Sequence, residues 1–292
     1  MPSWLGTKPS WFKYPLWFCW FLITQSWRRY SHVHVHFFMP TAWLAIAYKK
    51  LHKRVRLFAT FHGTDIYAYM PPSKRYVSML GYFERLIFVS SQLKARMSDY
   101  VQSDRMTVLS AGIPELFVPP TGAVARDIDY LFVGNLNHNK GGDRLLAFAQ
   151  QLPSDKSLTI AGEGEYRSKL EALAERNPMI KVIGAQTADE LKALCQSSRW
   201  LFSLSRNESF GLVMTEAMAS GTPVIATDTD GSREQVVNGE NGYIIAQEGL
   251  GQVLPLTDVA PQEWQLLSDG AVAAAQPHRL NHVVKSLLRF YA

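Results

Sequence analysis

The stretch "WLFSLSRNESFGLVMTEAMASGTPVIAT", Trp200 to Thr227, reads as strand, loop, helix, turn and strand. The apolar run "WLFSLS" (Trp200 to Ser205) has the length of a buried strand. Gly211 precedes a helical run from about Leu212 to Ser220, and Gly221 with Pro223 supplies its stop. "TPVIAT" (Thr222 to Thr227) is again a strand. Strand, helix and strand joined this tightly make a parallel pair with a crossover, the unit of α/β sheets.

The same alternation extends in both directions. "DYLFVGN" (Asp129 to Asn135), "SLTIAGEG" (Ser157 to Gly164) and "IKVIGA" (Ile180 to Ala185) are strands with amphipathic helices between them. Earlier, "HVHVHFF" (His32 to Phe38), "RLFATFHG" (Arg56 to Gly63) and "RLIFVSS" (Arg85 to Ser91) repeat the pattern. This predicts an α/β protein with parallel sheets. "ELFVPPTGAVARDID" (Glu115 to Asp129), rich in Pro and small residues, predicts an interdomain linker. Two Rossmann-like sheets so joined would face each other across a cleft at the carboxyl ends of their strands, where such sheets bind ligands.

The length of 292 residues suits two domains, and 47% hydrophobic against 19% charged residues is the balance of a folded globular protein. The net charge of +5 hides an asymmetry: residues 1–120 hold 15 Lys+Arg against 5 Asp+Glu, and the rest 15 against 20. A basic half suits nucleic acid, an anionic membrane or a phosphorylated substrate. No nucleic-acid module accompanies it, so nucleic acid is the weakest of these. Cys19 and Cys195 have neither disulfide-framework nor zinc spacing, which fits a reducing cytoplasm.

The apolar run Pro15 to Ile23 is too short to span a bilayer. Six of eight tryptophans, Trp4, Trp11, Trp17, Trp20, Trp27 and Trp43, fall early and interleave with Lys8, Lys13, Arg28 and Arg29. That mixture suits peripheral contact with an anionic membrane. The other reading is a helix that buries Trp17, Trp20 and Phe21 against its own domain.

Within the opening stretch, the first helical turn presents unpaired N–H groups from Gly211, Leu212 and Val213, an arrangement that holds phosphate oxygens. Glu216 lies one turn in, roughly 5–6 Å along the axis. A nucleoside diphosphate-sugar would fit with phosphates at the helix start, ribose hydroxyls on Glu216 and sugar hydroxyls near Glu208. Two glutamates at this spacing also arise by chance, and a Gly before a helix is common.

From Tyr130 to Ile245 the chain resembles the C-terminal domain of the family-4 retaining glycosyltransferases (glycosyltransferases group 1). These enzymes have the GT-B fold, two Rossmann-like domains facing across a cleft, and carry two glutamates separated by seven residues, matched by Glu208 and Glu216 in "ESFGLVMTE". "FVGNLNHNKGGDRLL", "LTIAGEGEYRSKLE", "VIGAQTADELKALC" and "DGSREQVVNGENGYII" follow the family's order. "VHVHFF", "ATFHGTDIY", "LIFVSSQLKARM" and "VLSAGIPELFVP" resemble its N-terminal domain.

The resemblance implies a shortened, acceptor-side N-terminal domain over 1–120, a linker at 121–128 and a donor-binding domain over 129–275. A C-terminal helix over 276–292 would pack back on the first domain. It implies a retaining transferase without cofactor or metal, moving a sugar from a nucleoside diphosphate-sugar to a glycan or lipid-linked acceptor. The setting would be bacterial surface polysaccharide synthesis, in the cytoplasm or at the inner face of the membrane.

The catalytic set implied is His62, Glu208 and Lys140. The donor-binding set is Asn135, Lys140, Ser209, Phe210, Gly211, Leu212, Val213 and Glu216. His62, in the family's "HG.D" pattern, would lie near the sugar and the leaving group; otherwise it is a strand-end histidine hydrogen-bonded to Asp65. Where the family has an arginine, five residues before Lys140, this chain has Asn135, with Arg206 and Arg233 as candidate substitutes. The family's first strand and Gly-rich loop also lack counterparts, as expected of a fragment, a pruned domain or a chain completed by a partner.

Competing readings carry less of the sequence. His32, His34 and His36 share one strand face and with Asp65 could hold a metal. "TDTDG" (Thr227 to Gly231) contains an Asp-x-Asp pattern, and "AGEGEYR" (Ala161 to Arg167) lacks the full dinucleotide fingerprint. The main rival is a non-catalytic nucleotide-sugar-binding or scaffold protein on the same fold.

Overall fold

The computed structural model describes residues 10–122 and 124–292. Trp4 and Lys8 lie outside the described residues, as do the side chains of Trp11 and Lys13. The chain divides into two compact units: residues up to Leu109 with Leu287–Ala292, and Ser110–Ser286.

The first unit contains α1 (Ser10–Gln25), β1 (His32–His36), α2 (Phe38–Leu51), β2 (Arg56–Phe61), α3 (Thr64–Tyr67), α4 (Lys74–Leu80), β3 (Arg85–Phe88), α5 (Ser91–Met97) and β4 (Met106–Val108). The four strands are parallel in the order β1-β2-β3-β4. Leu57, Phe58, Ala59 and Phe61 of β2 are all buried, as both faces of a covered parallel sheet require. Ser73 and Ser90 cap α4 and α5, accepting the N–H of Tyr76 and Leu93 at 3.2 and 3.4 Å.

The strand read from "HVHVHFF" stops two residues early, at His36. Phe37 adopts φ 59°, and the Phe38 N–H donates to Asp65 Oδ2 at 3.0 Å instead of to the sheet, so the chain turns directly into α2. The tryptophan-rich start has an inner face: the Phe21 ring meets the buried Tyr48 ring edge-on at 6.2 Å, and Trp17 and Trp20 are half-buried. Tyr291, near the chain end, packs on the same sheet, its ring 4.9 Å from Phe58 and its carbonyl accepting from Arg56 at 2.8 Å.

The second unit continues with β5 (Ile128–Val133), α6 (Gly142–Gln150), β6 (Leu158–Ala161), α7 (Arg167–Ala174), β7 (Ile180–Val182), α8 (Ala188–Gln196), β8 (Ser198–Ser203), α9 (Leu212–Ala219), β9 (Val224–Thr227), α10 (Asp230–Gln235), β10 (Gly242–Ile245), α11 (Val253–Thr257) and α12 (Pro261–Ala275). The last helix, α13 (Leu280–Tyr291), begins in this unit and ends in the first. The six strands are parallel in the order β10-β9-β8-β5-β6-β7. Alternate side chains fill opposite cores: Tyr130, Phe132, Trp200 and Phe202 on one face, Leu131, Leu201, Val224 and Ala226 on the other. The strand expected at Trp200 to Ser205 starts earlier, because Ser198 already pairs with Ile128.

Residues 110–120, expected in the first domain, belong to the second unit. Ile113 and Phe117 are buried in its core, and the Phe117 carbonyl accepts from the buried Arg279 guanidinium. The stretch expected as a free linker is likewise fastened. Arg126 donates to the carbonyl of Ser198 at 2.6 Å and the hydroxyl of Thr222 at 2.9 Å, and stacks on Trp264 at 4.7 Å. Burial lowers its pKa to about 10.

Candidate functional site

In the second unit, the residues singled out by sequence come together in the loops that follow β5 and β8. β8 ends at Ser203, and the chain is held as it leaves the sheet, with Thr227 donating to the Ser205 carbonyl at 2.6 Å. The loop then meets the turn before α6. Arg206 N–H donates to the Asn139 carbonyl at 2.7 Å, and the side chains of Asn139 and Asn207 bond at 3.1 Å. Gly141, at φ 77°, makes this approach possible, since a Cβ there would stand 2.2 Å from the Leu204 carbonyl oxygen.

These contacts carry Lys140 to Glu208, whose Nζ and Oε2 lie 2.5 Å apart. The pair is only partly exposed, so it is less screened than a surface ion pair. Beyond it, the Glu208 carbonyl accepts the Gly231 N–H at 2.8 Å, and the Phe210 carbonyl accepts from Gln235. Gln235 in turn accepts from the Thr215 hydroxyl at 2.5 Å. A Cβ at Gly231 would sit 2.6 Å from the Phe210 carbonyl oxygen, so only glycine fits. Both ends of α10 therefore hold the backbone of residues 208–210 in place.

Gly211, at φ 86°, is the N-cap of α9 and brings no side-chain acceptor. The N–H groups of Gly211, Leu212 and Val213 have no acceptor among the described residues. They are the orphan donors of a helix start, where the helix dipole adds partial positive charge. Leu212 is exposed, and Ser209, Gly211 and Val213 are half-buried. Phe210 is buried, its ring edge-on to His278 at 5.2 Å, so it anchors the loop rather than presenting a surface. Glu216 is half-buried, its carboxylate has no hydrogen-bond or ion-pair partner among the described residues, and burial raises its pKa.

Asn135 lies exposed near the start of the loop after β5. The two cations expected to replace the family's arginine are committed elsewhere. Arg206 forks onto Asp143, 2.7 Å to each oxygen, holding that carboxyl down at about 2. Arg233 forks onto Asp228, 2.6 Å to each oxygen. Asp228 of the Asp-x-Asp pattern is thus ion-paired. Thr229 between the two aspartates caps α10, accepting from Ser232 N–H at 3.2 Å.

In the first unit, Asp65 is buried and accepts three backbone N–H groups, from Phe38, His62 and Gly63, at 3.0, 3.0 and 2.9 Å. His62 therefore meets Asp65 through its backbone; its imidazole Nε2 faces His36 Nδ1 at 3.0 Å, and the ring stacks on Phe37 at 4.4 Å. His34 bonds Thr60 at 2.7 Å and the Tyr291 hydroxyl. Burial, with neighbouring histidines, lowers His34 and His62 to about 4 and lowers His36, so the cluster is neutral at pH 7. Among the described residues no group of three His, Cys, Asp or Glu is placed to hold a metal, and Asp65 faces the backbone rather than the histidines.

The sequence profile of the family described as "Glycosyl transferases group 1" matches residues 117–250, and that of "Glycosyltransferase Family 4" matches residues 1–115. This chain is a member of the family 4, group 1 glycosyltransferases. The N-acetyl-alpha-D-glucosaminyl L-malate synthase of Bacillus anthracis is 28% identical over 260 residues, covering 81% of this chain and 65% of that protein. An uncharacterized glycosyltransferase of Methanocaldococcus jannaschii is 29% identical over 164 residues, 55% of this chain and 45% of that protein. The chain thus spans between 45% and 65% of the length of these two relatives. Among solved structures, Anabaena HepE in complex with UDP and glucose superposes with a TM-score of 0.77 at 17% identity, covering 95% of this chain and 81% of that one. The fold is that of the GT-B glycosyltransferases.

Sequence reasoning did not single out Asp143, Asn139, Gly231 or Gln235, which shape this site without facing its open side. Only Gly231 carries a signal, as a glycine closing the "TDTDG" stretch, and it falls in the first turn of α10. The others act through partners about 20 to 70 positions away, which spacing does not reveal.

Proposed function

We propose that the chain is a retaining glycosyltransferase that takes a sugar from a nucleoside diphosphate-sugar and delivers it to a glycan or lipid-linked acceptor. The observation that carries this is the start of α9. Three orphan N–H groups stand there beside a Lys140–Glu208 pair, with the half-buried Glu216, its carboxylate without a partner among the described residues, one turn on. Amide hydrogens and one ammonium suit a diphosphate, and two carboxylates suit the hydroxyls on either side of it. HepE, of similar fold, is recorded with UDP and glucose, which supports a nucleoside diphosphate as the probe of choice.

In this reading the diphosphate takes the α9 amides and Lys140, which turns from Glu208 toward the leaving group. Glu208, released, accepts from sugar hydroxyls, and Glu216 accepts from the ribose diol. The Ser209 and Phe210 backbone and Asn135 line the donor. As the bond to the anomeric carbon breaks, charge grows on the phosphate oxygen, and preorganised amides and Lys140 stabilise it. Retention follows if the acceptor hydroxyl approaches on the side the phosphate leaves, its proton passing to that oxygen, so no protein nucleophile is needed. His62, neutral at pH 7, is in the form that hydrogen-bonds an uncharged sugar hydroxyl, the role the family resemblance gives it.

A second reading, binding without turnover, is favoured by one observation: Asn135 replaces a cation, and Arg206 and Arg233 are both neutralised by aspartates. Donor hydrolysis and transfer assays with several nucleoside diphosphate-sugars separate the two. Turnover abolished by Glu208→Ala supports transfer; tight nucleotide binding with no turnover on any donor supports the second. A lipid-linked acceptor further requires the protein to meet a bilayer surface. Peripheral work at the inner membrane face in surface polysaccharide synthesis is the setting that fits.

A further inference from the structure

The chain has no acidic residue before Asp65. Within this acid-free segment the structure gathers exposed apolar and basic side chains onto one surface. α1 ends at Gln25, and Trp27 in the turn after it is 81% exposed; Ile23 in its last turn is 67% exposed, and Leu51 at the end of α2 is 61% exposed. The two helix ends are fastened together. His52 Nε2 bonds the Ser26 carbonyl at 2.9 Å, and Tyr48 donates to the Arg28 carbonyl while accepting the Tyr30 N–H at 3.1 Å. Trp27 spends its indole N–H on the Ile23 carbonyl, which holds the ring in place with its faces open.

Directly after Trp27 come Arg28 and Arg29, and two residues after Leu51 come Lys53 and Arg54, all exposed and none with an ion-pair partner among the described residues. A surface that leaves a tryptophan, an isoleucine and a leucine in water at its centre and presents only positive charge at its rim is unfavourable for a free protein face. It fits one environment: the anionic headgroup region of a bilayer, where indole rings settle at the boundary and Lys and Arg meet lipid phosphates. A second copy of the chain would bring like charges together. No described helix is long and apolar enough to cross a membrane, so contact would be at the surface.

We propose that the surface formed by the C-terminal ends of α1 and α2 docks on an anionic lipid bilayer. The proposal deepens the lipid-linked acceptor reading. Its test uses no donor and no acceptor, so it fails or succeeds independently of that reading.

The test is flotation of the full chain with two kinds of vesicle: phosphatidylcholine alone, and phosphatidylcholine with about one-third phosphatidylglycerol. Binding is expected to be about tenfold stronger on the anionic vesicles and to fall several-fold in about 0.5 M salt. The double substitutions Trp27→Ala with Leu51→Ser, and Arg28→Glu with Arg29→Glu, should each weaken anionic-vesicle binding about fivefold or more. Lys181→Glu, an exposed lysine of the second unit, should leave binding unchanged. All substituted side chains are exposed, and a thermal melt matching wild type confirms each fold; where the apolar pair disturbs the melt, the charge-reversal pair decides. Equal or no binding to the two vesicle types overturns the proposal, as does anionic-vesicle binding that neither pair weakens. So does capture of acidic protein or nucleic acid, lost on Arg28→Glu with Arg29→Glu, without vesicle binding.

Discussion

The two units solve the same structural problem, how to finish the carboxyl ends of parallel strands, with opposite electrostatics. In the second unit the loops after β5 and β8 are stitched by permanent charge: Lys140 to Glu208 and Arg206 to Asp143. In the first unit the ends of β1 and β2 carry His34, His36 and His62, whose charge burial suppresses, with Asp65 turned inward to collect backbone N–H groups. A site of fixed charges and orphan amides suits an anion. A cluster of neutral imidazoles suits hydrogen bonding to uncharged hydroxyls at pH 7. Chemical role thus follows from how each sheet ends, not from the sheet type, which is parallel in both.

The contrast can be broken most severely at Lys140. Lys140→Ala should lower kcat/KM by a factor on the order of 10² to 10³, about 3–4 kcal/mol of barrier, because it removes the ammonium proposed to leave Glu208 for the diphosphate. Steady-state kinetics with the wild-type melting temperature as control checks this. Next is Asp65→Ala, which orphans two buried N–H groups and the half-buried one of His62 and should destabilise the first unit by about 3 kcal/mol, read by urea denaturation.

A smaller effect sharpens the neutral-histidine half. Unfolded histidines bind protons near 6.5 while His34 and His62 hold out to about 4, so the unfolded state binds more protons between those values. Stability contributed by the first unit should therefore fall as pH drops from about 6.5 to about 4, and level off below. Discounted for the partial solvent access of both rings, the loss is about 2 kcal/mol. Hydrogen exchange of β1 and β2 amides across this range measures it, and His34→Gln should flatten the slope.

The smallest effect concerns Glu216, whose carboxylate is half-buried without a partner. Glu216→Gln should stabilise the apo protein by about 1 kcal/mol while raising the donor KM about tenfold. A melting curve and a donor titration should move in opposite senses.

The helix at the candidate site is legible in the sequence. The helix predicted from about Leu212 to Ser220 is observed as Leu212–Ala219, since Gly211 and Gly221 mark its ends locally. β4 and β10 are not read as strands: "MTV" carries a polar residue at its centre, and "GYII" follows the turn-rich "NGEN", whereas the equally short β7 and β9 sit in apolar runs. The Pro-rich segment misled for another reason. Phe117 and Arg126 look like surface residues by sequence neighbourhood, and only the carbonyls of Ser198 and the aromatic face of Trp264 reveal that Arg126 is structural. Likewise nothing near Arg206 in sequence announces Asp143, 63 residues earlier, whereas Asp228 stands only five residues before Arg233, a local partner that the expectation of Arg233 as a substitute cation passed over. Local signals survive in sequence; long-range neutralisation of a charge does not.

The central claim is that the α9 start receives a diphosphate and that Lys140 leaves Glu208 to join it. A crystal structure of the chain soaked with a nucleoside diphosphate tests this directly. The account predicts phosphate oxygens within hydrogen-bond distance of the Gly211, Leu212 and Val213 amides and of Lys140 Nζ, with the Lys140–Glu208 contact opened beyond 2.5 Å. A diphosphate bound elsewhere, with that ion pair closed, would contradict it.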